Sequence, residues 1–196
     1  MMRSRSKWGV VFAFAALSAI AQAAPPTPAM LSNACAGCHG TNGASAGLSM
    51  PSLAGQNKIA MVEAMKAFKS GDRPSTVMGR LAKAYDDAEI EAIGEYFSAQ
   101  KPVVAVGQKF DVALAGKGRD LHERHCKRCH LEGGKEFDEN AAVVSGQWLK
   151  YLQIQMDDYA AGRRTMSEKK AEKMKPLTRA DFEAIAHYYA SAGQGE

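Results

Sequence analysis

The chain has 196 residues, enough for one ordinary domain or two small ones, and 46% of them are hydrophobic. The formal net charge is +4, but Arg3, Arg5 and Lys7 lie in the first 23 residues, and without them 22 Lys and Arg face 21 Asp and Glu. A nearly neutral mature chain lacks the positive charge that nucleic-acid binding needs, so nucleic acid is excluded as the expected partner.

Residues 1–23 predict a secretory signal peptide. The basic start is followed by an apolar run over residues 8–20 and then by Ala21-Gln22-Ala23, an A-x-A cleavage pattern. The alternative is an uncleaved membrane anchor, but the apolar run is short for a bilayer span and the small residues favour cleavage. We therefore expect an exported protein with no stable membrane insertion after signal cleavage.

All the cysteines of the chain fall in two copies of the pattern C-x-x-C-H. This is the attachment sequence for c-type haem: two thiols one helical turn apart add to the two vinyl groups of one porphyrin, and the next histidine is held under the iron. The spacing argues against two disulfides, and zinc would leave the histidines unexplained. We expect two covalently bound haem c groups at Cys35 and Cys38 and at Cys126 and Cys129, with His39 and His130 as axial iron ligands.

The chain contains an internal repeat. Cys35 and Cys126 are 91 residues apart, Gly55-Gln56 matches Gly146-Gln147 at the same offset, and residues 88–97 match residues 180–189 at an offset of 92. This indicates a duplicated module of about ninety residues. We expect an N-terminal cytochrome c domain over residues 24–102 and a C-terminal cytochrome c domain over residues 103–196.

Each half is expected to be helical. Residues 58–69 place Met61, Val62, Met65 and Phe68 on one face, and the matching segment of the second half carries a similar stripe. The last helix of each half begins with capping-box chemistry, in which Asp86 or Thr178 is followed three residues later by an acidic residue. Since no hairpin signal occurs, the predicted fold is all-α, with two tandem class I cytochrome c-like haem domains.

Methionines are the candidates for the sixth iron ligand. Met78 follows a polar loop and precedes the last helix of the first half, and Met166 follows the corresponding loop of the second half. Met65 and Met156 match each other at the repeat offset, but they sit in apolar helical stripes, where core packing is the expected role. Met174, two turns after Met166, is the alternative ligand of the second haem, and packing is the role expected for it. We therefore predict Met78 and Met166 as the axial ligands opposite the two histidines.

Three further histidines leave bis-histidine ligation open as an alternative. His122 and His125 precede the second C-x-x-C-H motif on a predicted helix, and His187 lies on the last helix. Surface or packing roles are expected for all three.

The chain resembles dihaem cytochromes of the c4 type in "CAGCHG", "PSLAGQ", "FKSG" and "VMGRLAKAY", followed by a second C-x-x-C-H half. More narrowly, it resembles the dihaem cytochrome subunit of flavocytochrome c sulfide dehydrogenase. This narrower resemblance rests on "STVMGRLAKAY", "KFDVALAGKGRDLHERHCKRCHLEGGK", "SGQWLKYLQ" and "RRTM", and it covers nearly the whole mature chain.

The resemblance implies His/Met ligation in both halves, in agreement with Met78 and Met166. It implies a periplasmic complex in which the cytochrome takes electrons from an FAD-containing sulfide dehydrogenase subunit and passes them to a soluble acceptor such as a small cytochrome. It also implies that a proline carbonyl, here that of Pro51, orients His39. The counterpart of Pro51 is Ala142, so the second half departs from this pattern. Another backbone carbonyl can orient His130, and the two haem sites should then differ in detail.

An iron with both axial positions filled cannot bind substrate, so we expect an electron-transfer subunit rather than an enzyme by itself. A dihaem peroxidase would need an open or labile position, which the loop methionines disfavour. The alternative function is a free-standing c4-type carrier to a terminal oxidase. The basic segment 163–175 is either a solvated face or a surface that steers an acidic electron acceptor.

Overall fold

The computed structural model of the protein describes residues 24–139 and 141–194. Its α-helices, in chain order, are α1 (Pro28–Asn33), α2 (Ala36–His39), α3 (Lys58–Ser70), α4 (Met78–Leu81), α5 (Asp87–Ser98), α6 (Val112–His125), α7 (Leu149–Ala160), α8 (Glu168–Met174) and α9 (Arg179–Ser191). Short 3₁₀ turns lie at Thr41–Gly43, Ala82–Ala84 and Glu132–Gly134. These two described ranges contain no strand, so the all-α prediction is confirmed.

The predicted signal peptide, residues 1–23, lies outside the described residues. None of the helices within the described part of the chain is long and apolar enough to cross a membrane.

The helices repeat the same packing in the two halves of the chain. Helix α5 packs against α1 and α3, and helix α9 packs in the same way against α6 and α7. Backbone hydrogen bonds repeat as well: the amide of Gly55 donates to the carbonyl of Phe97 over 2.9 Å, and that of Gly146 donates to the carbonyl of Tyr189 over 2.7 Å. The predicted duplication is therefore visible in the backbone. The precise domain ranges, with their boundary at residue 102, stay a prediction.

The helix boundaries follow the capping residues. Helix α3 begins after Asn57, whose side chain accepts hydrogen bonds from the amides of Ile59 and Ala60, and it ends at Gly71 in the left-handed conformation with φ of 94°. Both predicted capping boxes form, at Asp86 before α5 and at Thr178 before α9. The predicted helix over residues 58–69 is confirmed to within one residue.

Each module buries its own apolar core behind these helices. In the first half, the core is formed by Val62 of α3 and by Ile90, Ile93 and Phe97 of α5. In the second half, the buried residues that pack together are Leu121, Leu152, Ala184, Ile185, Ala186, Tyr189 and Ala190. Tyr189 occupies the place that Phe97 has in the first half, and it adds a hydroxyl group to an otherwise similar core.

The two modules meet through a reciprocal set of hydrogen bonds. The amide side chain of Gln56 donates to the carbonyl of Val143 over 2.9 Å and accepts from its N–H over 3.1 Å. The side chain of Gln147 donates to the carbonyl of Ser52 over 3.0 Å and accepts from its N–H over 2.9 Å. Because Gln147 and Val143 are the repeat counterparts of Gln56 and Ser52, the contact is self-complementary, as in a two-fold symmetric dimer. We call these four hydrogen bonds the junction pairs.

Two more side chains cross the junction beside these pairs. Asn57 donates to the carbonyls of Glu139 and Ala141, over 2.7 and 3.1 Å. In the opposite direction, the indole N–H of Trp148 donates to the carbonyl of Ser45 over 3.0 Å. Asn57 and Trp148 are also counterparts in the repeat, so the junction joins the segments that follow the two C-x-x-C-H motifs.

A glycine sets the distance between α6 and α9. Gly118 lies so close to α9 that an added Cβ would overlap the carbonyl oxygen of Ala184 and lie 2.7 Å from Cβ of Tyr188. Gly116, on the same helix, has no such neighbour within 4 Å.

We expect Gly118→Ala to destabilise the protein by about 1–3 kcal/mol, because the helices must separate to admit the methyl group. Gly116→Ala is the matched control, and we expect it to stabilise the protein by up to about 1 kcal/mol through helix propensity. Thermal unfolding of the two variants measures the difference. Equal melting temperatures would show that the α6–α9 contact is not as close as the structure has it.

Candidate haem sites

The two C-x-x-C-H motifs have the same backbone hydrogen bonds. The carbonyl of Cys35 accepts from the amides of Cys38 and His39 over 3.2 and 2.9 Å. The carbonyl of Cys126 accepts from the amides of Cys129 and His130 over 3.2 and 3.0 Å. Each motif is therefore one tight turn that presents two thiols and an imidazole together.

The thiols themselves are free in both motifs. In each motif the first cysteine is half-buried and the second is exposed. Within the described residues, no three or more His, Cys, Asp and Glu side chains cluster around a common point.

A backbone carbonyl orients each of the two histidines. Nδ1 of His39 lies 2.8 Å from the carbonyl oxygen of Pro51, and Nδ1 of His130 lies 3.0 Å from that of Ala142. When Nδ1–H donates to a carbonyl, the lone pair of Nε2 is left free to face an iron atom. The expected difference between the two halves therefore does not extend to this hydrogen bond, because the counterpart of the proline supplies the carbonyl although its side chain differs.

Both imidazoles are held in the neutral form that binds metals. Burial lowers the pKa of His39, against the opposing effect of its hydrogen bond to Pro51. Burial, together with the positive charge of Lys170, lowers the pKa of His130 to about 4. Since a protonated imidazole cannot ligate iron, both environments favour ligation.

The predicted methionine ligands lie on corresponding stretches of chain. Met78 is the first residue of α4, and Met166 precedes the N-cap of α8, Ser167; both side chains are half-buried. Met174 is the last residue of α8 and is also half-buried. The assignment of Met78 and Met166 as ligands stays a prediction.

The two halves differ in register at this point, which the sequence comparison missed. Met78 lies eight residues before the cap of α5, Asp86, and the residue eight positions before the cap of α9, Thr178, is Lys170. Met166 and Met174 lie four residues to either side of Lys170. In the second half, Met166 and Met174 therefore flank Lys170, whereas the first half has the single methionine Met78 at this position.

Packing roles explain two of the other histidines. His122 is 1% exposed, and its Nδ1 lies 3.0 Å from the hydroxyl of Tyr189. His187 accepts a hydrogen bond from the amide of Asp111 over 2.9 Å, and its Nε2 lies 3.1 Å from a carboxylate oxygen of Glu183. These contacts agree with the expected packing role of both side chains.

Comparison with known proteins identifies the family. Residues 28–101 match the family model described as Cytochrome c. The chain is 30% identical over 150 residues to cytochrome c4 of Azotobacter vinelandii, which covers 67% of this chain and 70% of the relative. The chain belongs to the cytochrome c4 family. It is accordingly an electron-transfer protein of the haem c type rather than an enzyme by itself.

A solved structure and a second relative extend this result. The crystal structure of reduced cytochrome c4 from Pseudomonas stutzeri matches this cytochrome with a TM-score of 0.71 and 26% identity, over 80% of this chain and 92% of that one. The predicted pair of tandem cytochrome c-like domains is therefore confirmed. The cytochrome subunit of sulfide dehydrogenase from Chlorobaculum tepidum is 50% identical over 68 residues, which cover 35% of this chain and 61% of the relative.

We expect Met78→Ala and Met166→Ala each to change the ligation of one haem and to lower its reduction potential, because a thioether ligand favours ferrous iron. Met174→Ala is the control and should leave the absorption spectrum nearly unchanged. The measurement is the methionine-to-iron charge-transfer band of the ferric protein. If Met174→Ala removes the band of one haem and Met166→Ala does not, the assignment in the second half is reversed.

Proposed function

We propose that this cytochrome is the periplasmic, dihaem electron-transfer subunit of a sulfide-oxidising complex. In this proposal it takes electrons from an FAD-containing flavoprotein and passes them to a soluble acceptor such as a small cytochrome. The observation that carries the dihaem part is the equal orientation of His39 by Pro51 and of His130 by Ala142. Two sites built in the same way are suited to two cofactors of the same kind.

The residues present fit two haem c groups. In the first module, Cys35 and Cys38 would hold the porphyrin and His39 and Met78 would ligate its iron. In the second module, Cys126 and Cys129 would hold the porphyrin and His130 and Met166 would ligate its iron. Haem c supplies a carrier of one electron at a time. Iron with two protein ligands has no position for a substrate, so sulfide chemistry needs a second protein.

The flavoprotein partner is supported by the chemistry of sulfide and by the partial similarity to a sulfide dehydrogenase subunit. Sulfide gives up two electrons when it forms zero-valent sulfur, whereas each haem accepts one. A flavin accepts two electrons together and releases them singly. The predicted signal peptide supports export of the cytochrome to the compartment where such a complex would act.

The alternative is a free-standing c4-type carrier to a terminal oxidase. The cytochrome c4 relative covers 67% of this chain, whereas the sulfide dehydrogenase relative covers 35%. The wider coverage favours this alternative, and the higher local identity favours the subunit.

The structure reduces the number of basic residues in segment 163–175 that could steer an electron acceptor. Of the cations in the basic segment 163–175, Arg163 is paired with acidic residues, and Arg164 and Lys170 are half-buried. Lys173 is exposed but lies 3.9 Å from a carboxylate oxygen of Glu172. Lys169 and Lys175 are exposed and remain the residues that could steer an acidic acceptor.

We expect sulfide-dependent reduction of the acceptor to require both the cytochrome and the flavoprotein. Charge reversal of Lys169 and Lys175 should slow acceptor reduction at low salt without weakening the flavoprotein complex. Lys101→Glu, which changes an exposed lysine of the first module beside the predicted domain boundary, serves as the control. Stopped-flow kinetics of the reconstituted system measure both effects. Rapid sulfide oxidation by the cytochrome alone would overturn the subunit proposal, and an unchanged acceptor rate would overturn the role of the two lysines.

A further inference from the structure

A histidine and a tyrosine in the core of the second module replace an apolar pair of the first. His122 and Leu31 each lie four residues before the first cysteine of their C-x-x-C-H motif, and Tyr189 and Phe97 are counterparts on the last helices. In the second module the pair is hydrogen-bonded, because Nδ1 of His122 lies 3.0 Å from the hydroxyl oxygen of Tyr189. The two modules therefore differ in polarity at one equivalent place.

Two equivalent glycines show that the aromatic rings have the same position. A Cβ added at Gly43 would lie 2.9 Å from Cδ1 of Phe97, and one added at its counterpart, Gly134, would lie 2.9 Å from Cε1 of Tyr189. Each ring is thus packed against the backbone that follows its C-x-x-C-H motif. The hydroxyl group of Tyr189 is what the second ring adds at this position.

Tyr189 lies between His122 and the second C-x-x-C-H site. Its ring centroid is 5.7 Å from that of His122 and 6.4 Å from that of His130. The side chain of Cys126 packs against the core cluster that contains Tyr189, and the amide of Cys126 donates to the carbonyl of His122 over 2.8 Å. The pair therefore adjoins the residues that would hold the second haem.

One atom of this pair has no partner. His122 is 1% exposed, and its Nε2 makes no hydrogen bond within residues 24–139 and 141–194. Burial lowers the pKa of His122 and raises the pKa of Tyr189 well above its usual value, so both groups are neutral near pH 7. An unpaired polar atom in a core costs stability, and a leucine, as in the first module, avoids this cost. Packing alone therefore does not account for a histidine here.

The unpaired atom indicates which nitrogen of His122 carries the proton. Buried N–H groups without an acceptor are rarer than buried acceptors without a donor. Nε2 is therefore the unprotonated nitrogen, and Nδ1–H donates to the oxygen of Tyr189. The phenol then keeps its own hydrogen for another acceptor. Cys126, which packs against the same cluster, supplies a sulfur atom that can serve as a weak acceptor.

We propose that His122 positions the hydroxyl group of Tyr189 as a hydrogen-bond donor toward the haem held by Cys126 and Cys129, and that this raises the reduction potential of that haem above that of the first. The inference rests on the proposed dihaem function. The hydrogen of an O–H group is the positive end of its dipole, so it stabilises a haem that has gained an electron. The apolar pair of the first module provides no such group. Electrons that reach the first haem are then transferred to the second with a favourable free energy.

The main test variant is Tyr189→Phe, which introduces the residue of the first module and removes one oxygen atom. Tyr188→Phe is the matched control, because it removes the hydroxyl of the adjacent tyrosine and keeps the ring. Each variant is weighed by mass spectrometry to count its haems and is then titrated by spectroelectrochemistry. We expect Tyr189→Phe to lower the ferrous-to-ferric ratio of one haem several-fold at fixed ambient potential, where each tenfold step equals about 59 mV for one electron. That haem should be the one that Met78→Ala leaves unchanged, and Tyr188→Phe should shift neither haem.

A double-variant cycle tests whether His122 acts through Tyr189. His122→Leu should lower the potential of the same haem, but it should add no further shift in the Tyr189→Phe background. His122→Asn keeps a side-chain N–H donor and should retain most of the potential. If His122→Leu loses its haem, His122→Asn and Tyr189→Phe carry the measurement.

An unchanged or raised potential in Tyr189→Phe, with two haems bound, would overturn the inference. An equal shift in Tyr188→Phe would also overturn it, because the effect would then be a general response of the core to a lost hydroxyl. Additive shifts from His122→Leu and Tyr189→Phe would overturn the positioning role of the histidine. A wild-type protein with fewer than two haems would refute the dihaem function itself.

Discussion

The positions of both histidines and of both modules depend on a pair of adjacent peptide groups in each module. The carbonyls of Pro51 and Ala142 orient His39 and His130, and the next residue of each, Ser52 or Val143, forms the junction pairs with a glutamine of the other module. A shift at the junction therefore moves the groups that aim the imidazoles. Since an unpaired buried polar group costs about 1–3 kcal/mol, the junction pairs hold both histidines and both modules in one geometry.

This constraint explains why duplication suits electron transfer. Each module has only a few short helices around a small core, and a small domain buries little surface unless a cofactor or a neighbour covers it. The self-complementary junction supplies the neighbour, and covalent attachment through Cys35, Cys38, Cys126 and Cys129 would supply the cofactor. The same contact would fix the distance and orientation between two one-electron carriers.

Much of the local structure could be predicted from the sequence, because it depends on residues that are close together in the chain. The C-x-x-C-H turns, helix α3 and the capping boxes at Asp86 and Thr178 all require only short-range hydrogen bonds. The orientation of His130 was harder to foresee, since the proline of the first half is replaced by Ala142. The hydrogen bond uses the backbone carbonyl, so the side chain at this position does not decide it.

What the sequence did not show depends on contacts between the modules. Gln56 and Gln147 were visible only as a repeated residue, and nothing in the sequence indicated that each would bond to the other module. The repeat offset also changes from 91 to 92 residues before the last helix. Helix α8 ends four residues before Thr178, the cap of α9, whereas the 3₁₀ turn at Ala82–Ala84 ends two residues before Asp86, the cap of α5. Counting back from the predicted caps at Asp86 and Thr178 places Lys170 at the position of Met78, but the loops were matched by their residues and not by their distance from these caps.

The central claim is that the junction makes two haem modules one electron-transfer unit. The most direct test is the rate at which an electron introduced by flash photoreduction equilibrates between the two haems. In the wild type this rate should be independent of protein concentration. The Gln56→Ala/Gln147→Ala protein should equilibrate more slowly, whereas Gln153→Ala, which removes a glutamine that bonds within one module to Glu183, should match the wild type. A concentration-dependent rate in the wild type, or an unchanged rate in the double variant with both haems bound, would contradict the account.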